Sequence, residues 1–477
     1  MKRLRALLMV CVMCVASVCL WGTAAANDAE PLVSGDYQYT LREDGTALII
    51  RYTGSSEDVT IPSSLGGVPV TALGPNSFES RGSLLFVEIP EGITSIGDYA
   101  FRFCNNLEVI NLPDSLVEIG KNPFTGCEVL EEIDLSPDHP VVYLENRVLF
   151  SRPDGRLIAY SGNLPRGAYE VPEGTRIIGA SAFYQCQNLT GLTLPDTITS
   201  IGQKAFCFCD NLKSINLPDS ISYIGAGAFI HCIGLHSLVF PDTVTAIGDN
   251  AFEECTSLRE VVLPQDTISI GDRAFYKCSS LQALELPEGI TAIGKNTFAY
   301  CKDLLSITLP DGVTYIGNGA FLGCEKLEEI SIPMTVNYIG SSAFSECYQL
   351  KELQLPNTCL YIGPGAFNKC TSLSEFNIPM VMNTINDHVF EGCGALTEIT
   401  IPARVTSIGA YAFAGCSGLT EITIPANVTT IGERAFYWCY QLESVTLPDG
   451  LETVDPSAFE NCSSLTDLPD LSQYQPQ

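Results

Sequence analysis

Short runs of alternating apolar and polar residues recur along this chain with a period of 23. Residues 419–424 end in an apolar, polar, apolar triplet, which predicts a short half-buried strand. Pro425 ends that strand because proline has no N–H for a central ladder. Residues 428–431 alternate again, Gly432 permits a second corner, and Phe436 lies in a compact turn that points it inward. One unit therefore predicts two short strands and one turn.

Cysteine ends most of these units, and a phenylalanine lies three residues before each such cysteine. Phe78 keeps the same register with Arg81 in the cysteine's place, which makes sixteen coils. A fixed period in the twenties predicts a solenoid, in which each coil buries its apolar side chains by stacking on its neighbours. At about 4.8 Å per coil the rod would be roughly 75 Å long. The cysteines are Cys104, Cys127, Cys186, Cys209, Cys232, Cys255, Cys278, Cys301, Cys324, Cys347, Cys370, Cys393, Cys416, Cys439 and Cys462.

The unit L-x-x-I-x-I-P…I-G…A-F…C resembles the repeat of the BspA-like leucine-rich-repeat family over residues 59–465. The resemblance implies a β-rich, right-handed leucine-rich-repeat solenoid with short parallel strands and short helical turns. It also implies roles in extracellular adhesion and protein binding. The repeat is specific for the fold and says little about which partner is bound.

Two segments depart from the repeat, and both contain hairpin signals. Residues 27–58 alternate on either side of Asp44-Gly45, which predicts a β-hairpin that caps the first coil. In a 36-residue insertion, a Pro153-Asp154-Gly155 turn separates two strand-like runs, which predicts a second β-hairpin. We interpret this insertion as a structural excursion rather than a binding lobe. The expected division is signal peptide 1–26, cap 27–58, first repeat block 59–133, β-hairpin insertion 134–171, second repeat block 172–465 and tail 466–477.

The N-terminus carries the pattern of a secretory signal. Lys2, Arg3 and Arg5 precede an apolar stretch, and the small residues 24–26 form a cleavage site. An uncleaved membrane anchor is the alternative, although the apolar run is short for a span of about 20 residues. No other long apolar run exists, so no membrane span is expected after signal removal, and a secreted or cell-surface location is predicted.

The strongly negative net charge of the chain limits the kinds of partner that it can bind. The net charge of the full chain is −30, and removing the three basic residues of the signal makes it −33. Such a field repels phosphate backbones and anionic lipid, so nucleic-acid binding is not expected.

Fifteen regularly spaced cysteines in an exported chain raise the question of disulfides. Parallel side chains on successive coils hold their Cβ atoms too far apart for a relaxed bond, so buried free thiols beside phenylalanine are predicted. Zinc needs ligands that converge on one point, and a column does not converge; no metal site is expected. Cys207 and Cys359 lie outside the column and are candidates for reactive thiols.

No catalytic constellation stands out, so the chain is not expected to be an enzyme or to use a cofactor. The stretch from Gly289 to Lys295 resembles a phosphate-binding loop, but Asn296 replaces the Ser or Thr that would hold magnesium. The four histidines are scattered, and no nucleophile elbow with a partnered base occurs. A hidden carboxylate pair of the glycosidase type stays open as an alternative.

Candidate binding residues form columns. An acidic column could bind a basic segment or calcium, or could be five solvated side chains that repel one another. A tyrosine column and a C-terminal aromatic cluster could bind protein or sugar, or could cover sheet edges. The acidic column is Glu329, Glu352, Glu375, Glu398 and Glu421; the aromatic residues are Tyr315, Tyr338 and Tyr361, then Tyr437, Trp438 and Tyr440.

These patterns together predict a secreted, non-catalytic, monomeric repeat protein that binds an extracellular protein or glycan. A structural spacer of the cell envelope is one alternative, and it would have a featureless face. An extracellular carbohydrate-binding or carbohydrate-acting protein is the other, and it would need a cleft with paired carboxylates.

Overall fold

The structure is a computed structural model that describes residues 30–161, 164–466 and 471–474. The expected signal peptide, residues 1–26, lies outside this part of the chain. Within the described residues, no helix has the length and apolar character needed to cross a membrane. The fold of these residues is a β-solenoid.

An antiparallel meander precedes the parallel coils of the first repeat block. Strand β2 pairs with β3 across the turn that contains Asp44 and Gly45, and β3 then pairs in parallel with β6. The strands are β1 (Leu32–Ser34), β2 (Tyr37–Leu41), β3 (Ala47–Tyr52), β4 (Asp58–Thr60), β5 (Ser64–Leu65), β6 (Val68–Leu73), β7 (Phe86–Glu88), β8 (Ser95–Ile96), β9 (Val109–Asn111), β10 (Glu118–Ile119) and β11 (Glu132–Asp134).

The insertion forms a second meander of the same design. It consists of β12 (Val142–Glu145), β13 (Val148–Ser151) and β14 (Arg156–Tyr160), all paired antiparallel. Strand β14 then pairs in parallel with β16 (Ile177–Ile178), as β3 pairs with β6. The predicted hairpin around Pro153-Asp154-Gly155 is thus two strands of a three-stranded unit.

The second repeat block stacks coils at intervals of 23 residues, as Tyr315 pairing with Tyr338 illustrates. Its strands are β15 (Gly167–Glu170), β16 (Ile177–Ile178), β17 (Leu189–Thr193), β18 (Ser200–Ile201), β19 (Ser214–Ile215), β20 (Tyr223–Ile224), β21 (Ser237–Val239), β22 (Ala246–Ile247), β23 (Glu260–Val262), β24 (Ser269–Ile270), β25 (Ala283–Glu285), β26 (Ala292–Ile293), β27 (Ser306–Thr308), β28 (Tyr315–Ile316), β29 (Tyr338–Ile339), β30 (Glu352–Leu353), β31 (Tyr361–Ile362), β32 (Glu375–Phe376), β33 (Thr384–Ile385), β34 (Ser407–Ile408), β35 (Glu421–Thr423), β36 (Thr430–Ile431), β37 (Ser444–Thr446) and β38 (Thr453–Val454).

The corners of each coil follow from proline and glycine. The carbonyl oxygen of Pro310 accepts a hydrogen bond from the N–H of Val313 at 3.1 Å, so proline both ends a strand and begins a tight turn. At the second corner glycine is needed because the coils approach closely. A Cβ on Gly432 would lie 2.7 Å from the backbone nitrogen of Ala410 in the preceding coil. Glycine is therefore required here because the backbones of two coils approach closely, and not because the residue has a positive φ.

The interior is a stack of phenylalanine rings. Phe413 and Phe436 are fully buried and lie 5.2 Å apart between ring centroids, with their planes 6° apart. Successive i to i+3 hydrogen-bonded turns, such as Cys439 N–H to the Phe436 carbonyl, hold each ring inward in the place of the expected helical turn. A 3-10 helix, Leu471–Tyr474, packs Leu471 and Tyr474 against the core of the second block.

Each block has its own hydrophobic core, and the insertion contributes to both. Val148 and Phe150 of β13 belong to the core of the second block, whereas Leu149 between them belongs to that of the first. Leu157 and Ile158 of β14 divide in the same way. Because successive side chains of a strand point to opposite faces, this sheet is buried on both sides between the two blocks.

Candidate interaction surface

The tyrosine column lies on the second strand of three successive coils. Tyr315, Tyr338 and Tyr361 each precede a buried isoleucine, so strand alternation turns them outward. Parallel pairing in register then places their rings one above another. The centroids are 4.9 Å apart from Tyr315 to Tyr338 and 4.8 Å apart from Tyr338 to Tyr361, with planes within 16°. The sequence placed these residues in one column; the stacking of their rings is a finding of the structure.

Exposed apolar side chains surround this tyrosine column. Met334 and Leu360, 72% and 67% exposed, lie in the coils of Tyr338 and Tyr361, and Met380, 58% exposed, lies in the next coil. Burial by its neighbours, with the charges of Tyr361 and Tyr315, raises the pKa of Tyr338. We call the tyrosine column and these three residues the apolar face. Sequence reasoning missed the two methionines and the leucine because they occupy positions that are polar in most coils.

The five glutamates of the acidic column are all exposed on the first strand or in its register. Glu352 pairs in parallel with Glu375, so their side chains leave the sheet from adjacent rungs. Among the described residues none of the five carboxylates forms an ion pair. Lys351, next to Glu352 in sequence, places its Nζ 2.7 Å from Oε2 of Glu328, outside the column.

The C-terminal aromatic cluster lies on the turn side of its coil, so the structure does not join it to the tyrosine column. The rings of Tyr437 and Trp438 stack with centroids 4.7 Å apart, and Tyr440 is 6.4 Å from Trp438. The guanidinium of Arg434 lies 5.1 Å from the centre of the Tyr437 ring, a cation–π contact. Trp438 and Tyr440 are both exposed.

The cysteine column has a structural task that the sequence did not reveal. Fourteen of its fifteen thiols donate to the carbonyl oxygen of the phenylalanine 26 residues earlier, at Sγ–O distances of 2.9 to 3.3 Å. Cys186 departs from this pattern because the residue 26 positions before it is Tyr160 of the insertion. All described cysteines are free and buried, in agreement with the predicted unpaired column.

The two cysteines outside the column are not activated. Burial raises the pKa of Cys207 to about 12 and the pKa of Cys359 to about 11. The thiolate is the reactive form, so both are poor nucleophiles at neutral pH. Within the described residues, no group of three or more His, Cys, Asp or Glu side chains is arranged to hold a metal ion.

A cavity of about 620 Å³ lies where the two repeat blocks meet, and sequence reasoning missed it.

The second meander, in contrast, has a signal in the sequence. Asp44-Gly45 is followed by T-A-L-I-I-R-Y-T-G, and Asp154-Gly155 by R-L-I-A-Y-S-G. The tyrosine of each motif, Tyr52 or Tyr160, stacks on the first phenylalanine of its block at 5.1 Å or 4.8 Å.

The repeat length, the two strands per coil and the buried phenylalanine column define a leucine-rich-repeat solenoid. The sequence profile described as "BspA type Leucine rich repeat region (6 copies)" matches residues 52–151, 176–305, 291–403 and 383–469. These matches span most of the chain, and the chain belongs to the BspA-type leucine-rich-repeat family. A search of curated protein sequences gave no match.

Several solved structures are similar to this chain. A leucine-rich repeat protein from Bacteroides ovatus is 26% identical, covers 91% of this chain and 93% of its own, and has a TM-score of 0.40. A leucine rich cell surface protein from Faecalibacterium prausnitzii is 25% identical, covers 92% of this chain and 94% of its own, and has a TM-score of 0.38.

Proposed function

We propose that this chain is an exported, non-catalytic repeat protein that binds a protein partner at a cell surface through the apolar face. The observation that carries the proposal is the stack of Tyr315, Tyr338 and Tyr361, with Met334 and Leu360 exposed in the same coils. Contiguous exposed apolar residues mark interaction sites, and tyrosine adds contact area with little loss of side-chain freedom. Family membership and the signal-like N-terminus support the surface location.

The geometry favours protein over sugar at this face. A sugar ring would pack on the flat face of an aromatic ring, and the inner faces of these rings are covered by each other. The accessible parts of the stacked tyrosines are their ring edges and hydroxyl groups. These groups can contact side chains of a partner protein. The acidic column, Glu329 to Glu421 in the same part of the solenoid, would attract a basic region of that partner.

Binding of the purified chain to a panel of extracellular matrix proteins and glycans tests the proposal. We expect Tyr338→Thr to weaken binding to the best protein ligand at least tenfold, about 1.4 kcal/mol. Threonine is chosen because Thr384 occupies the same column in a neighbouring coil. The matched control is Tyr223→Thr, an exposed tyrosine of the same column that lacks tyrosine neighbours.

Two results would contradict the proposal. One is binding to no protein of the panel, as a structural spacer would show. The other is equal loss of binding in Tyr338→Thr and Tyr223→Thr, which would make the stack irrelevant.

One observation favours glycan binding as a second candidate. Trp438 and Tyr440 are exposed on the turn side, away from the apolar face. Retention of a glycan by the wild-type chain and its loss in Trp438→Ala would establish this role; the unchanged protein binding of that variant would separate the two sites.

A further inference from the structure

The hydrogen-bond ladder between coils is interrupted where the two repeat blocks meet. Strand β11 stands at the end of its sheet, and β15, the next strand of that column, begins another. Strands β10 and β14 are separated in the same way. We call this region the seam and define it as residues 118–134, 139–161 and 181–188.

Side chains of the insertion replace part of the missing ladder. The carbonyl of Ile96 accepts the N–H of Gly120 in the regular coil, but its counterpart Ile119 accepts Nη2 of Arg156 at 3.2 Å. The carbonyl of Glu131 likewise accepts Nη2 of Arg147 at 2.9 Å. Buried His139 adds a hydrogen bond from Nε2 to the Pro113 carbonyl at 3.0 Å, since its Nδ1 already accepts backbone N–H groups. The seam is therefore held by side chains rather than by strand pairing.

Side chains on the turn side bridge the two blocks beside a cavity. On the turn side, Nδ2 of Asn122 donates to the Ser181 carbonyl at 2.7 Å, and the rings of Phe103 and Tyr184 lie 6.0 Å apart. The cavity of about 620 Å³ extends from these turn-side residues, Asn122 and Tyr184, to Glu132 and Ile133 of the first strand. This volume is in the range of ordinary ligand sites.

The cavity combines apolar walls, carboxylates and a strand edge. Val129 and Leu144 line it and are 39% and 37% exposed, although both are large apolar residues. Glu128 and Glu132 contribute two exposed carboxylates to the lining and Arg147 one positive charge, so these three side chains leave the cavity acidic.

We infer that the seam cavity binds an extended polypeptide segment of a partner, one that carries both basic and apolar side chains. Glu132 and Ile133 of the terminal strand β11 line the cavity, so main-chain groups at its edge can pair with an added strand. An unpaired strand edge is a ready template for such pairing. Val129 and Leu144 would receive an apolar side chain, and Glu128 and Glu132 a basic one. This site lies apart from the apolar face and goes beyond the proposed function.

A random dodecapeptide library displayed on phage, selected against the full exported chain, tests the inference. We expect the enriched peptides to combine lysine or arginine with apolar residues. Their dissociation constants should rise at least tenfold in Leu144→Ser and in Val129→Ser. Both side chains are partly exposed, so the variants are expected to fold, and thermal melting checks this. Val239→Ser is the matched control, since Val239 is an exposed valine on a strand far along the second block.

A second readout detects strand pairing itself. Bound peptide should slow amide hydrogen exchange of residues 132–134 and leave residues 237–239 unchanged. The inference is overturned if no peptide is enriched over a blank surface, if enriched peptides bind all three serine variants alike, or if exchange at residues 132–134 is unaffected. Tyr338→Thr should leave peptide binding intact, so failure of the apolar-face proposal would be seen separately.

Discussion

At the scale of single residues, contacts between coils rather than local backbone preference decide which side chain is tolerated. The second-corner glycine of one coil touches the backbone of the coil before it. A Cβ on Gly363 would lie 2.4 Å from the nitrogen of Ser341 and 2.6 Å from the carbonyl carbon of Gly340. Backbone atoms cannot rotate away as side chains can, so the coils would have to separate.

We therefore expect Gly363→Ala to lower the free energy of unfolding by about 1–3 kcal/mol, the usual cost of overpacking. Urea denaturation followed by circular dichroism measures this. Gly82→Ala is the control because a Cβ there meets no atom within 4 Å. Equal stability of the two variants would contradict the role assigned to close approach.

At the scale of elements, the phenylalanine and cysteine columns form one unit. Fourteen of the sixteen phenylalanine carbonyls accept the thiol of a following coil, as the carbonyl of Phe275 accepts the thiol of Cys301 at 3.2 Å. Only a protonated thiol can donate this bond, and burial keeps it protonated. Burial raises the pKa of Cys104 to about 11 and that of Cys255 to about 12.

The raised pKa values predict alkaline instability. Above pH 9 the thiols ionise in the unfolded chain but stay protonated in the folded one, so the unfolded state binds fewer protons and stability falls as pH rises. Each such thiol contributes about 1.4 kcal/mol per pH unit. Urea midpoints at pH 8, 9 and 10 should therefore drop steeply. Cys359→Ser removes one buried thiol outside the column. In this variant the free energy of unfolding should fall less steeply with pH, by about 1.4 kcal/mol per pH unit. A flat profile from pH 9 to 10 would refute this account.

At the scale of the whole molecule, each of the two repeat blocks is preceded by an antiparallel three-stranded meander. The insertion has the same strand arrangement as the N-terminal meander. In each of them a tyrosine packs against the first phenylalanine of the column: Tyr52 against Phe78 and Tyr160 against Phe183. The backbone bonds repeat as well, from Tyr52 N–H to Ser77 and from Tyr160 N–H to Ala182. A cap covers the end of a stack that would otherwise expose its core.

This duplication predicts that the second block folds alone. Residues 134–477 should unfold cooperatively in a thermal melt, because they hold a cap and their own core. Residues 164–477, which keep β15 but lack the second meander and leave Phe183 uncovered, should melt at a lower temperature or aggregate. Similar melting of the two fragments would show that the insertion does not act as a cap.

The sequence by itself determined the period, the strand and turn order of each coil, and the columns of Phe, Cys, Tyr and Glu. It could do so because units of 23 residues with the same apolar positions bury those positions only by stacking in register. The buried phenylalanine column and the free cysteines were predictable for that reason, and the acidic and tyrosine columns could be located but not explained.

Only the tertiary structure decided which contacts fill the spaces between coils. The thiol-to-carbonyl bonds, the ring stacking of Tyr315, Tyr338 and Tyr361, and the two-sided burial of β13 depend on distances that no periodic pattern encodes. The seam is the strongest case. Its cavity arises where periodicity stops, so its shape follows from how Arg147, Arg156 and His139 bridge two blocks whose strands do not pair.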